Sequence, residues 1–261
     1  MQPAYLSQIW IFPIKSLDGV NLEQVEVLSN GALRSDRAYA LVDQTQKIIN
    51  GKNCAQIHQI RASYDLSNCL VELTAPTHPP QKFHLESDRF VLDQWFSDVL
   101  GFKVALIHNP RGGFPDDLNA PAATVISTAT LQLVNSWFPD LELAEVRRRF
   151  RTNLEIDGVS AFAEDVLLSE QRELPRSFRL GSVDFLAINP CQRCIVPSRD
   201  SHTGIANPGF QAHFSRQRAN TLPGTVARSR FNHFYRLAIN TQIHPANQGR
   251  SLHIGAPISL I

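Results

Sequence analysis

Two of the four cysteines in this 261-residue chain, Cys191 and Cys194, lie on either side of Arg193 in the run Asn-Pro-Cys-Gln-Arg-Cys-Ile-Val-Pro, residues 189–197. A neighbouring positive charge stabilises a thiolate, and a thiolate can act as a metal ligand or as a nucleophile. We therefore expect the chemistry of this protein to lie at this run.

A Cys-x-x-Cys pair has two other common interpretations. As half of a structural zinc site it would need two further ligands, but Cys54 and Cys69 are separated by fourteen residues and form no second pair. A thioredoxin-like redox pair should begin a helix, whereas a strand is expected before Cys191, and Pro197 would interrupt a helix after it. Both alternatives stay open at this point.

A second group of charged residues lies in the run Arg-Arg-Arg-Phe-Arg-Thr-Asn at 147–153, where four arginines occupy five positions. Such a run is usually a solvated surface. The functional alternative is anion recognition, because a guanidinium group offers a planar fork that suits phosphate and carboxylate. Beside the amide of Asn153, these arginines would suit a phosphorylated ligand.

Composition limits the classes of protein to which the chain can belong. Hydrophobic residues make up 43% and charged residues 19% of the sequence, which indicates a globular protein. A net charge of +1 argues against electrostatic attachment to nucleic acid or to an acidic membrane, so neither is expected as a partner. The four scattered cysteines and the absence of a targeting or membrane-spanning segment favour a cytoplasmic location.

The elements that would position these residues are mostly strands. Runs of β-branched, aromatic and alternating apolar residues predict strands at 5–12, 20–28, 69–73, 124–126, 154–156 and 166–168, a hairpin that joins 37–43 to 47–49, and another that spans 178–188. The last hairpin leads directly into Cys191.

Two helices are expected between the strands. Apolar residues recur at helical spacing between Ser87 and Gly101, and Gly101 is expected to end that helix. Ser127 or Thr128 is expected to cap a second helix that runs toward Trp137.

The segment 108–123 is rich in proline, glycine and asparagine, which is typical of a long loop or linker. We place the domain boundary there, which divides the chain into residues 1–110 and residues 111–261. The predicted fold class is mainly β with a few helices.

Five short motifs occur in a fixed order along nearly the whole chain. They are Phe-Pro-Ile-Lys-Ser at 12–16, Arg-Ser-Asp-Arg at 34–37, Arg-Phe-Arg-Thr-Asn at 149–153, Phe-Ala-Glu-Asp at 162–165 and Cys-Gln-Arg-Cys at 191–194. In this order they resemble the MOSC family, and the chain is similar to YcbX-type proteins and the mitochondrial amidoxime-reducing component. The resemblance implies an N-terminal MOSC-associated β-barrel domain followed by a MOSC β-barrel domain.

The resemblance also implies a molybdenum cofactor in its molybdopterin form. The second cysteine of the pair, Cys194, would be the metal ligand and catalytic centre, with Cys191 as a neighbour and Arg193 beside the ligand. The positions that would hold the pterin and its phosphate are Lys15, Ser16, Arg37, Arg151 and Asn153. Pyridoxal phosphate is a further ligand that the family resemblance brings into consideration. A soft thiolate suits such a metal better than a carboxylate does.

In function, the resemblance implies an oxidoreductase that reduces N-hydroxylated substrates such as amidoximes and hydroxylamines. The chain ends at Ile261 without the ferredoxin domain of YcbX-like proteins, so we expect electrons to come from a separate electron-transfer protein or reductase. The alternative is a carrier of the cofactor or of sulfur, without redox turnover. Glu164 and Asp165 are expected to be structural, at the start of a strand, and the scattered histidines are assigned no role.

Overall fold

The computed structural model describes residues 4–261 and shows a mainly β protein with four α-helices in that range, which confirms the predicted fold class. The strands are β1 (Tyr5–Ile11), β2 (Val20–Leu22), β3 (Gln24–Glu26), β4 (Tyr39–Asp43), β5 (Ile48–Ile49), β6 (Arg61–Asp65), β7 (Leu70–Ala75), β8 (His78–His84), β9 (Val104–His108), β10 (Thr124–Ser127), β11 (Leu154–Asp157), β12 (Ser177–Leu180), β13 (Val183–Gln192), β14 (Arg236–Ile243), β15 (Ser251–His253) and β16 (Ile258–Leu260). The helices are α1 (Arg89–Leu100), α2 (Thr128–Ser136), α3 (Leu143–Phe150) and α4 (Phe210–Thr221).

The largest sheet has eight strands in the order β16-β12-β13-β14-β10-β11-β1-β2. Neighbouring strands pair antiparallel except β10 and β11, which are parallel. The first strand therefore lies beside β11, with Tyr5 opposite Asp157 and Ile9 opposite Leu154. This pairing places residues from the start of the chain next to the end of α3, which carries the arginine run.

Three smaller sheets complete the β structure, in the orders β5-β4-β9, β6-β7-β8 and β15-β3. The buried side chains of Leu92, Trp95 and Phe96 in helix α1 belong to a hydrophobic core formed by residues between Ile14 and Leu106. Each aromatic side chain removes a large apolar area from water, so this helix supplies much of the local core.

The hydrophobic cores do not follow the order of the chain. One core joins Leu6, Ile9 and Val25 from the first strands to residues such as Phe178 and Phe185 from the second half. Residues 109–123 contain no helix or strand and run between β9 and β10. The division at 110/111 stays a prediction, and the first strands share a sheet and a core with the second half.

Several predicted elements are confirmed, together with the residues expected to begin or end them. Helix α1 ends at Gly101, whose φ of +77° is the left-handed conformation that glycine adopts without strain. Helix α2 begins after Ser127, whose hydroxyl accepts a hydrogen bond from the backbone N–H of Thr130. Pairing of β4 with β5 confirms the first hairpin, and pairing of β12 with β13 confirms the second.

Two strand predictions were wrong. The segment 166–168 is not a strand, because Ala163–Leu167 forms a short 3-10 helix that buries Glu164 and Asp165. The expected strand 20–28 is two short strands, and the second leaves the large sheet to pair with β15. Alternation of apolar and polar side chains indicates that one face of a strand is buried. It does not indicate which other strand pairs with it.

Two helices were not predicted at all. Helix α3 has apolar residues at helical spacing, Leu143, Val146 and Phe150, but it is only eight residues long and its arginine run was interpreted as a charged surface. Helix α4 mixes polar and aromatic residues and has no simple apolar stripe. In the part of the chain that the structure describes, no helix is long and apolar enough to cross a membrane.

Candidate functional site

A cavity of about 1420 Å³ lies where the start of the chain, the linker and the end of β13 meet. All seven residues predicted for the site line it, namely Lys15, Ser16, Arg37, Arg151, Asn153, Arg193 and Cys194. Cys191 also lies in its wall. Residues separated by most of the chain therefore converge on one cavity, although the roles assigned to them stay predictions.

The two cysteines lie at the end of β13, where the strand gives way to a short 3-10 helix at Val196–Ser198. Both are free thiols and half-buried. The backbone N–H of Val196 points to the Cys194 sulfur at 3.5 Å, and Arg193 Nη1 donates to the Cys191 sulfur at 3.1 Å. A thiol in such surroundings is accessible from the cavity and has polar donors beside it.

Arg193 is held in place by the chain around it. Its Nη2 atom donates to the carbonyl oxygen of Phe150, and its guanidinium lies 5.4 Å from the centre of the Phe150 ring. Its backbone N–H donates to the carbonyl oxygen of Tyr235 at 3.1 Å. Arg193 thus connects the end of α3 to the end of β13.

A pair of arginines faces the ring of Phe12. The guanidinium of Arg151 lies 4.1 Å from the ring centre and that of Arg37 lies 5.3 Å from it. Arg151 Nη1 donates to the carbonyl oxygen of Leu17 at 2.6 Å, and Arg37 pairs with Asp36. Aromatic contact and fixed hydrogen bonds hold both guanidinium groups in one orientation toward the cavity.

Three of the predicted cofactor residues have left-handed backbone conformations that are unusual for residues other than glycine. The φ angles are +75° at Ser16, +50° at Arg37 and +51° at Arg151. Such conformations cost free energy and tend to collect at functional sites, where the surrounding structure holds them. Arg151 is also the residue that ends α3, so its backbone turns its side chain away from the helix.

Lys15 is buried but not unpaired. Its ammonium group donates to the carbonyl oxygen of Phe114 at 2.8 Å and to Asp116 Oδ1 at 3.0 Å. Burial lowers the pKa of Lys15, and the charge of Asp116 opposes that change. Asp116 belongs to the linker, and Lys52 lies 3.5 Å from the same oxygen. The linker thus supplies a counter-ion that the sequence analysis did not identify.

Asn153 is almost fully buried, and its amide is engaged by backbone and side-chain groups of neighbouring strands. Its Nδ2 atom donates to the carbonyl oxygen of Trp10 at 3.0 Å. Its Oδ1 atom accepts hydrogen bonds from the backbone N–H and the hydroxyl of Thr124, each at 3.2 Å. These contacts join β1, β10 and β11, which gives Asn153 a structural role in addition to its position in the cavity wall.

The cavity is strongly positive although the whole chain is nearly neutral. Thirteen lysine and arginine side chains line it against five aspartate and glutamate side chains, a formal excess of eight positive charges. Several of the cations are paired within the protein, for example Arg147 with Glu155 at 2.7 Å. Like charges at this density repel one another in a partly buried site, so an anionic ligand would relieve the repulsion.

Two buried atoms test whether a phosphorylated cofactor suits this cavity. Arg151 Nη2 and Arg149 Nη1 are buried and have no hydrogen-bond partner among residues 4–261. Burial and the charge of Arg37 lower the pKa of Arg151 to about 10, so its cationic form is poorly compensated. A phosphate group would supply both the acceptor oxygens and the negative charge, and the donor set therefore fits such a cofactor.

Sequence reasoning missed some residues of the site. Phe12 lay in a motif but was not recognised as the ring that carries two guanidinium groups. Asp116 and the arginines Arg230 and Arg236 are separated from the cysteines along the chain and carry no local signal. Among residues 4–261, no group of three or more His, Cys, Asp or Glu side chains could by itself hold a metal ion.

Comparison with known proteins gives distant but extensive matches. The chain is 26% identical over 247 residues to mitochondrial amidoxime reducing component 2 of Bos taurus, covering 78% of this chain and 69% of that protein. It is 26% identical over 239 residues to molybdenum cofactor sulfurase of Drosophila yakuba, covering 81% of this chain but 30% of the sulfurase. A solved structure, YiiM from Geobacillus stearothermophilus, aligns over 53% of each chain with 13% identity and a TM-score of 0.33.

Two family models match consecutive parts of the sequence. The MOSC N-terminal beta barrel domain matches residues 3–103, and the MOSC domain matches residues 118–243. The gap between them, residues 104–117, contains β9 and the first part of the segment 109–123 that has no helix or strand. Because the two matches together span most of the sequence, the chain belongs to the MOSC family, with an N-terminal MOSC β-barrel domain followed by a MOSC domain.

Proposed function

We propose that this protein binds a molybdenum cofactor and uses it as an oxidoreductase that removes oxygen from N-hydroxylated compounds. Family membership and the two relatives, one named for amidoxime reduction and one for cofactor sulfuration, support a role connected to that cofactor.

One observation carries the proposal. The half-buried thiol of Cys194 lines the same cavity as the arginine pair Arg37 and Arg151. Within the described residues, Nη2 of Arg151 is buried and has no hydrogen-bond partner. A thiolate is the ligand that a soft metal centre prefers, and the guanidinium pair is what a phosphate group requires. A cofactor with a metal at one end and a phosphate at the other would use both.

The residues of the chain would divide the binding among them. Cys194 would hold the metal, and Arg37 and Arg151 would hold the phosphate against the ring of Phe12. Ser16 is half-buried and lies in the same wall, so its hydroxyl can contact the pterin. Because Arg151 and Arg37 are held by Leu17 and Asp36, little side-chain entropy would be lost on binding.

The chemistry that a bound molybdenum cofactor supplies is a two-electron redox change at a metal that can accept an oxygen atom. Reduction of an N–OH group to N–H releases water and consumes two electrons and two protons. A separate electron-transfer protein or reductase would provide the electrons. The protein itself would orient the substrate and surround it with fixed positive charges.

A second candidate function is a carrier of the cofactor or of sulfur. The match to a molybdenum cofactor sulfurase favours it, and so does the accessible sulfur of Cys191 beside Arg193. This alternative predicts cofactor retention without turnover, whereas the oxidoreductase predicts both.

The test is metal analysis by mass spectrometry on protein from a host that makes the cofactor. Wild-type protein, Cys194→Ser and the matched control Cys191→Ser are compared for molybdenum and zinc. We expect about one molybdenum per chain in the wild type and in Cys191→Ser, and none in Cys194→Ser. Retention of molybdenum in Cys194→Ser, or a wild type that carries zinc instead, would overturn the assignment.

Turnover is then measured on the loaded wild type with a chemical reductant and an amidoxime. Formation of the amidine supports the oxidoreductase. Full molybdenum content without amidine formation supports the carrier. A cytoplasmic location stays a prediction in either case.

A further inference from the structure

The wall of the cavity at the end of β13 carries three arginines that the proposed cofactor contacts do not use. They are Arg172, Arg230 and Arg236, and none belongs to the five motifs that carry the family resemblance. Arg172 is exposed in the loop before β12, Arg230 lies in a short 3-10 helix, and Arg236 begins β14. Three segments of the chain therefore bring a positive charge to one place.

Two of these guanidinium groups are anchored on backbone carbonyls of β13. Arg230 donates to the carbonyl oxygens of Ile188 and Ser169, and Arg236 Nη1 donates to that of Pro190 at 2.6 Å. Arg236 Nη2 donates in addition to Asn232 Oδ1 at 2.7 Å. Each guanidinium has five N–H groups, so both keep donors for another partner.

These three arginines form no ion pair with a carboxylate in the part of the chain that the structure describes. Within residues 4–261, no aspartate or glutamate oxygen lies within 4.0 Å of a guanidinium nitrogen of the three, whereas Lys15 and Arg37 of the same cavity are both paired. Burial lowers the pKa of Arg230, and the charge of Arg172 lowers it further. The charge of Arg172 thus acts on both Arg230 and Arg236, and the charge of Glu173 opposes it at Arg230 without forming an ion pair among the described residues.

The group lies beside the cysteines. Arg236 is opposite Gln192 in the β13–β14 pairing, one residue from Cys191. Two residues after Cys191, Arg193 Nε is buried and has no hydrogen-bond partner in the described part of the chain. An anion bound here would meet donors from several arginines and would lie near the position proposed for the metal.

The two positive groups are anchored on different parts of the chain. The pair Arg37 and Arg151 is fixed against Phe12 and Leu17, while Arg230 and Arg236 are fixed against β13, and the two sets share no contacting residue. One group can take the cofactor's phosphate, which leaves the other for a different anion.

We propose that Arg172, Arg230 and Arg236 bind an oxyanion group, a carboxylate or a phosphate, of the substrate and so make the site selective for anionic N-hydroxylated compounds. The inference rests on the proposed function for the identity of the reacting group. The charge selectivity rests on the arginines themselves and does not depend on the identity of the reacting group. Bidentate contacts between guanidinium and oxyanion groups are among the strongest polar contacts available to proteins.

The test measures equilibrium binding to the cofactor-loaded protein by calorimetry, without turnover. The probes are three benzamidoximes with a para carboxylate, a para phosphate or a neutral para methyl ester. The variants are Arg172→Gln and Arg236→Gln, with Arg216→Gln as the control, because Arg216 is exposed on α4 and does not line the cavity. Thermal unfolding of each variant checks that it is folded.

We expect the wild type to bind at least one of the charged probes about tenfold or more tightly than the ester. We expect each cavity variant to lose most of that difference while binding the ester as before. The comparison of carboxylate with phosphate identifies the preferred oxyanion.

Equal affinity for the ester and both charged probes in the wild type would overturn the proposal, as would an equal loss in the Arg216→Gln control. Failure of the proposed function is recognised separately. In that case no benzamidoxime is reduced, while the preference for the charged probes and its loss in the two variants persist.

Discussion

The guanidinium of Arg151 lies 4.1 Å from the centre of the Phe12 ring. The first residue belongs to the turn after α3 and the second follows β1, and the pairing of β1 with β11 brings them together. Arg151 is therefore held on one face by an aromatic ring, and its buried donor Nη2 has no partner among residues 4–261.

We expect Arg151→Lys to weaken cofactor binding because an ammonium group lacks the planar fork and stacks less well on the ring. Molybdenum content of the purified protein should fall by about tenfold or more. Arg179→Lys is the control, since Arg179 is exposed and pairs with Asp184 away from the cavity. Equal molybdenum content in the two variants would show that Arg151 does not hold the cofactor.

Asn153→Ala should destabilise the fold even in protein without cofactor. The substitution removes the three hydrogen bonds that the buried Asn153 amide makes with the half-buried Trp10 and Thr124, which join β1, β10 and β11. We expect a loss of about 2–4 kcal/mol in the free energy of unfolding, measured by urea denaturation. The exposed Asn68, replaced by alanine, should lose about 1 kcal/mol or less. Similar losses in both variants would contradict the structural role of Asn153.

Glu164 should make stability depend on pH. Both oxygens of its carboxyl group are buried without a partner in the described residues, and burial together with the charge of Asp165 raises its pKa to about 7. The folded protein thus holds a proton that the unfolded chain has lost, and stability falls as pH rises from about 4.5 to about 7.

The substitution Glu164→Gln should remove this dependence. At pH 8 the variant should be more stable than the wild type by roughly 1–3 kcal/mol, because a neutral amide avoids the buried charge. Urea denaturation at several pH values between 5 and 8 measures the effect. A wild type and a variant whose stabilities run parallel across that range would show that Glu164 is not the titrating group.

Gly204 should tolerate alanine less well than Gly209, although both have left-handed φ angles of +73° and +80°. A Cβ atom at Gly204 would lie 2.5 Å from the carbonyl oxygen of Ala55, whereas none of the neighbouring atoms lies within 4 Å of one at Gly209. We expect Gly204→Ala to cost about 2–4 kcal/mol and Gly209→Ala about 1 kcal/mol. Equal costs by urea denaturation would mean that the loop can move away from Ala55.

The predictability of the fold differs from element to element. Helix α1 and its end at Gly101 were predicted because apolar spacing and a C-terminal glycine are local signals. The segment 166–168 was misread because three apolar residues in a row do not distinguish a strand from a short helix that packs on Arg218 and its neighbours. The arginine-rich α3 was missed for a similar reason, since its buried face includes Glu145 and Arg149.

Some features of the site also follow from local sequence signals, and others depend on the tertiary structure. The sequence by itself predicted which side chains could carry chemistry, the thiol of Cys194 and the guanidinium groups of Arg37 and Arg151, because motif order and side-chain chemistry are properties of the chain. Their roles stay predictions. The sequence also determined the mainly β fold class, because side-chain alternation and turn residues act over short distances.

Only the tertiary structure decided how those groups are partnered. Asn153 and Trp10 are hydrogen-bonded although 143 positions separate them, and Lys15 meets Asp116 across 101 positions. Such contacts depend on strand order and on the path of the linker, which no local pattern encodes. The same long-range packing brings Arg230 and Arg236 to β13 and leaves them without a carboxylate among the described residues. Burial by the fold also sets the strength of the interactions between these charges, because two charges interact more strongly once water is removed from around them.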